Sequence, residues 1–151
     1  MPLKSAGILL FRRPAPEVFL VHPGGPFWAK KDDSAWSIPK GVYELDEAPD
    51  AAARREFTEE TGHKLDAPLI ALGEFRQPGG KIITAYAAEG DIDPALVRSN
   101  MFTMEWPPKS GRAAEFPEVD RAGWFDPPTA ALKIVKGQRP ILDALLALLG
   151  A

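Results

Sequence analysis

Residues 44–60 place seven carboxylates, Glu44, Asp46, Glu47, Asp50, Glu56, Glu59 and Glu60, against two bases, Arg54 and Arg55. Read as a helix, Glu56 and Glu60 stand four apart and Glu59 three from Glu56, so three carboxylates share one edge within about 6 Å. Like charges at that spacing repel, and something must offset them. A divalent cation is the usual agent. Carboxylate oxygens are hard ligands suited to Mg²⁺ or Mn²⁺, and a site with few protein ligands leaves coordination positions for water and a substrate phosphate. Hydrolysis of a phosphoanhydride needs that arrangement: charge neutralised on the phosphate oxygens and a water made nucleophilic. Acids on a helix face are by themselves more often a solvated surface. The residues around them therefore decide.

The elements that must hold these acids are legible from periodicity and punctuation. Residues 5–11 (SAGILLF) and 17–21 (EVFLV) are short, apolar and β-branched or aromatic, which predicts two strands joined by a stiff turn through Pro14 and Pro16. Residues 22–34, rich in Gly, Pro and Lys, predict a long surface loop, with a brief strand at 36–38. The clearest helix covers 48–61: Pro49 suits its first turn, Asp46, Glu47 and Asp50 favour the N-terminal end of its dipole, and Gly62 is placed to stop it. Residues 69–75, 81–88, 100–106 and 121–125 predict further strands, and 140–149 a terminal helix with Ile141, Leu145 and Leu148 on one face and Leu142, Leu146 and Leu149 beside them. Strands interleaved with helices, without regular βαβ repetition, predict a mixed α/β sandwich.

Composition bounds the function. The chain has 151 residues, 45% hydrophobic and 26% charged, enough for one domain, 1–151, with one sizeable core. Its net charge of −3 speaks against a nucleic-acid-coating surface, but the charge is uneven. Seven acids against two bases give residues 44–60 a charge of −5, and the remaining sixteen bases and fourteen acids sum to +2. The absence of cysteine excludes a disulfide framework, a thiolate metal site and a cysteine nucleophile, and agrees with a cytoplasmic location. The opening MPLKSAGILLFRR lacks a leader's cleavage site, and no apolar run is long enough for a membrane span.

Gly41, Glu47, Arg55, Glu56, Phe57, Glu59, Glu60 and Gly62 fit G-x5-E-x7-R-E-U-x-E-E-x-G, with Phe57 at the hydrophobic position U. This resembles the signature of the Nudix hydrolases. The resemblance implies an α/β/α sandwich with a mixed sheet and a loop–helix–loop catalytic motif. It implies that Glu56, Glu59 and Glu60 bind Mg²⁺ or Mn²⁺, with a backbone carbonyl at Lys40 or Gly41, and that Glu47 and Arg55 pair to orient the motif. A general base would be Glu59 or Glu56, or a carboxylate from a later loop, where Glu118 resembles the family's position and Glu115 is a nearby substitute. His63 departs from the aliphatic residue usual there, and reads as a half-exposed packing residue.

The approach to the motif, Trp36-Ser37-Ile38-Pro39-Lys40-Gly41, resembles the branch of the family that acts on dinucleoside polyphosphates and diphosphoinositol polyphosphates. Lys40 would then contact phosphate. Phe27 and Trp28 beside Lys30 and Lys31 suit base stacking next to phosphate binding, and Lys109 and Arg112 extend a positive rim. Pro78, fifteen residues beyond His63, resembles a marker of the ADP-ribose branch instead, and its bland explanation is a turn. The reading is a pyrophosphohydrolase, monomer or homodimer, acting on a small nucleotide, without nucleic-acid or membrane partners; diadenosine tetraphosphate is the favoured substrate. ADP-ribose, an oxidised nucleoside triphosphate, or a non-catalytic nucleotide sensor are the alternatives.

Overall fold

Side-chain alternation sets the two faces of the central sheet. The protein, a computed structural model, is described over residues 3–150; Met1, Pro2 and Ala151, the ends of the expected 1–151 domain, lie outside. In β1 (Lys4–Arg12) Leu9 and Phe11 enter one core cluster and Ala6, Ile8 and Leu10 the other. In β2 (Glu17–Pro23) Val18 and Leu20 are set against Phe19 and Val21 in the same way. A sheet apolar on both faces must be covered on both. Helix α1 (Pro49–Thr61) covers one with Ala52, Ala53 and Phe57. Helices α2 (Pro127–Lys133) and α3 (Arg139–Leu149) cover the other with Ala130, Ile141, Leu142 and Leu145. The result is the expected α/β/α sandwich.

The sheet is mixed. Its strands run in the order β4 (Ile70–Arg76), β5 (Ile82–Glu89), β1, β2, β8 (Val119–Phe125). β1 and β5 are parallel, and the other neighbours antiparallel. β1 and β2 pair only at Phe11↔Val18 and Arg12↔Glu17, then splay. Into the gap comes β3 (Lys40–Val42), which pairs with Ser5, Ala6 and Gly7 of β1, while Ser37 bridges Val21 of β2. Regular strand geometry therefore falls on 40–42, and the brief strand expected at 36–38 is reduced to isolated bridges. A separate ribbon, β6 (Met101–Glu105) with β7 (Ala113–Pro117), stands outside the main sheet.

The predicted helix holds at both ends. Pro49 lies in its first turn, and Gly62, at φ +77°, ends it in the left-handed region with its N–H on the Thr58 carbonyl. Elsewhere the structure corrects the sequence reading. His22, expected to start a loop, lies in β2 and is fully buried. Leu148, expected on the core face of α3, is 48% exposed, because the buried stripe runs through Ile141, Leu142 and Leu145. Helix α2 and strand β7 arise in proline-rich stretches where no element was expected; Asp126 caps α2 by accepting from the Thr129 N–H, and the prolines that follow suit a first turn. Among the described residues no helix is long and apolar enough to cross a membrane.

Candidate active site

Where β1 and β2 splay, a cleft of about 730 Å³ opens over β3 and the C-terminal half of α1. Glu56, Glu59 and Glu60 of α1 line it together with Glu118, and Lys40 and Gly41 form its lip. Its other wall is apolar, made by Phe27 and Trp28 from the loop after β2 and by Phe102 and Met104 from β6. Helical spacing brings the first three acids together, as expected. Backbone hydrogen bonds bring the fourth: the Glu118 N–H donates to the Asn100 carbonyl (2.8 Å), and the Gly24 N–H donates to the Glu118 carbonyl (2.9 Å).

Arg55 organises the acids. Its Nε and Nη2 donate to the two oxygens of Glu47 at 2.8 and 2.9 Å, a bidentate pair, and its Nη1 donates to Glu56 (2.8 Å) and Glu59 (3.1 Å). Glu56 in turn packs on Gly41 so closely that a Cβ there would overlap its carboxylate. Glycine is thus required at 41 by close approach. Glu60 accepts the Lys40 backbone N–H at 3.3 Å.

One guanidinium and one ammonium do not balance this cluster. Burial pushes the Glu60 carboxyl up to about 8, against the pull of Lys40. Burial raises Glu56, and the neighbouring Glu59 charge raises it further. Glu118 is raised by the same two causes in the same order. Glu47 moves the other way, held low by its hydrogen bonds to Arg55. Hard oxygen donors crowded beyond their available counter-charge fit a divalent cation, with Glu56, Glu59 and Glu60 as the side chains that would hold it. Among the described residues no group of three or more acidic or histidine side chains stands at the spacing of a preformed metal site; as placed, Glu56 and Glu59 are drawn to Arg55 Nη1.

The sequence profile of the NUDIX domain matches residues 1–145. The chain belongs to that family. Solved Nudix structures share its fold. A Caenorhabditis elegans Ap4A hydrolase binary complex superposes with a TM-score of 0.69 at 18% identity, over 97% of this chain and 98% of that one. The NUDIX domain of Shewanella oneidensis NrtR complexed with ADP ribose gives 0.66 at 15%, over 99% and 89%. A curated relative, a Myxococcus xanthus protein named octanoyltransferase, is 36% identical over 95 residues, 63% of this chain; the match spans 24% of that longer protein.

Other residues expected at this Nudix site are distributed unevenly. Phe27, Trp28, Lys40 and Gly41 line the cleft; Lys30, Lys31, Lys109 and Arg112 do not. Lys31 turns its Nζ to 4.9 Å from the Trp28 ring centroid. Lys109 and Arg112 lie in the turn at the far end of the β6–β7 ribbon, where the Lys109 N–H donates to Glu105 and Arg112 borders a separate shallow depression. Alternation along β6 directs Phe102 and Met104 to the cleft and leaves that turn outside it. Glu115 is likewise absent from the cleft, exposed on β7 opposite Thr103. Phe102 and Met104 themselves were missed. Their i,i+2 spacing is the signal that could have placed them on one face.

Proposed function

We propose that this chain hydrolyses a phosphoanhydride bond of a dinucleoside polyphosphate such as diadenosine tetraphosphate, using Mg²⁺ or Mn²⁺. One observation carries the substrate class: two cavities share Trp28, Lys40 and Gly41. Beside the acid-floored cleft lies a second cavity of about 390 Å³, lined by Ile83 and Val135, the amides of Gln77 and Gln138, and Lys81. A polyanion with a flat, partly apolar group at each end suits two cavities with apolar walls joined at the cationic Lys40.

The residues divide the work. Glu56, Glu59 and Glu60 hold the cation, with the Lys40 or Gly41 carbonyl completing its protein ligands. When bound, the cation neutralises phosphate charge and lowers the pKa of an attacking water. Arg55, fixed by Glu47, orients Glu56 and Glu59. Lys40 and Lys81 border the second cavity as phosphate contacts, and Phe27, Trp28 and Phe102 stack a base and exclude water. Glu118, raised by burial and by Glu59, accepts the water's proton as general base. A cytoplasmic monomer or homodimer completes the reading.

A product-resolved screen with Mg²⁺ over diadenosine polyphosphates, ADP-ribose, nucleoside triphosphates and inositol pyrophosphates tests it. Preferential release of two nucleotides from diadenosine tetraphosphate is expected. Preferential cleavage of ADP-ribose, or tight binding of a nucleotide with no turnover, overturns the proposal.

A further inference from the structure

We infer that His22 is a positioning residue for the aromatic wall of the cleft, tying the foot of the Phe27–Trp28 loop to the strand that follows Glu118. The inference rests on the cleft being the nucleotide site. His22 is 0% exposed in a strand whose other buried residues are apolar, and a polar ring is stable there only if its nitrogens are satisfied. Both are. Nδ1 lies 2.8 Å from Asp120 Oδ1 and Nε2 lies 2.6 Å from the Lys31 carbonyl.

The strand pairing builds this contact. β2 and β8 pair residue for residue from Val18↔Phe125 to His22↔Arg121, then skip to Pro23↔Val119. Asp120 is left over at the irregularity, and its carboxylate meets the His22 ring. A bulge is a common device for re-aiming one side chain. The Trp36 ring stands edge-on at 5.2 Å from His22, and Asp32 accepts its Nε1–H (2.8 Å), so the buried side of the tie is closed by packing.

Trp28 packs on the core and Phe27 against Trp106, but polar anchors in the loop are few. Gly24 is pinned by its N–H on Glu118, and Lys31 by its carbonyl on His22. Among the described residues, the side-chain hydrogen bonds reaching 24–31 all end on that carbonyl, from His22 and, at 3.5 Å, from Arg121. Between the pins stand Phe27, 59% exposed, and Trp28. Both line the cleft without touching the acids' hydrogen-bond network. Loosening the foot of the loop therefore weakens the hold on substrate and leaves the carboxylates in place.

The test compares the native chain with His22→Leu, His22→Gln and Asp120→Ala. The Asp120 side chain is 32% exposed, so Asp120→Ala keeps the inference falsifiable if His22→Leu does not fold. Hydrogen–deuterium exchange is read over 24–31 and over α3, and KM and kcat are measured with diadenosine tetraphosphate and Mg²⁺. In His22→Leu and Asp120→Ala, uptake over 24–31 is expected to rise while α3 is unchanged. KM rises about tenfold, the equivalent of one lost hydrogen bond, with kcat within about twofold. His22→Gln, which keeps an amide N–H for the Lys31 carbonyl, regains most of the protection. Unchanged uptake over 24–31 in Asp120→Ala overturns the inference, as does a fall in kcat at constant KM. If the native chain turns over no nucleotide, the reading of the cleft fails, and the exchange data alone decide whether His22 holds the loop.

Discussion

Replacing Glu60 by Gln is expected to stabilise the metal-free protein while abolishing its turnover. The Glu60 carboxyl is pushed from an ordinary 4.5 up to about 8, mainly by burial. A carboxyl raised on folding binds more protons in the folded state. Its contribution is therefore fully favourable below about 4.5, is lost as the pH rises towards about 8, and then levels off. At about 1.4 kcal/mol per pH unit the whole gap corresponds to about 5 kcal/mol. Glu60 is only half-buried and lines an open cleft, so solvent screening reduces this to about 2 kcal/mol. Gln keeps the shape and still accepts the Lys40 N–H, but never ionises. Urea unfolding in EDTA at pH 5 and pH 8.5 measures both proteins. The variant should match the native chain at pH 5 and exceed it by about 2 kcal/mol at pH 8.5. Comparing the two proteins cancels those contributions of Glu56 and Glu118 that do not arise from their repulsion with Glu60. Equal stability at both pH values would refute the burial argument, and an unchanged turnover rate would remove Glu60 from the metal site.

Three further substitutions probe the same site. Arg55→Lys keeps the charge but cannot reach Glu47 through two bonds and Glu56 and Glu59 at once, so chemical denaturation should show a loss of about 1–2 kcal/mol. In Gly41→Ala the new methyl displaces the Glu56 carboxylate. Turnover should fall at least about tenfold, with a stability cost of about 1–3 kcal/mol measured in urea. Glu118→Gln leaves both backbone anchors of residue 118 intact, so its thermal midpoint should not fall while turnover drops; full turnover discards Glu118 as the general base.

Much of this arrangement was legible in the chain. Pro49 and Gly62 bracketed α1 because local backbone chemistry decides helix ends, and the period of the helix fixed which acids share an edge. The short apolar runs at 5–11 and 17–21 marked β1 and β2. What escaped reading depended on distant partners or on prolines with two meanings. No element was expected at Pro127 and Pro128, although after Asp126 they open a helix. Phe102 and Met104 meet Phe27 and Trp28 only through a ribbon whose second strand was hidden by its surroundings. Lys109 and Arg112 carried the right charge, but charge does not reveal which end of a hairpin faces a cleft. His22 found its acid 98 residues away at a pairing irregularity, which periodicity does not encode.

The β6–β7 ribbon forms no part of the main sheet, and two strands alone are marginal in water. Its Phe102 lies over Gly25, so that a Cβ on that glycine would come within 2.9 Å of the ring, and Trp106 stacks edge-on with Phe27 at 5.5 Å. The ribbon and the loop are thus propped on each other, and under the proposed function they form the part of the cleft that would recognise substrate, apart from the carboxylates. Such a protein can keep its chemistry while its choice of substrate drifts, because changes in the ribbon need not disturb the carboxylates on α1. Grafting a different ribbon between Asn100 and Glu118 is the corresponding route to a new specificity.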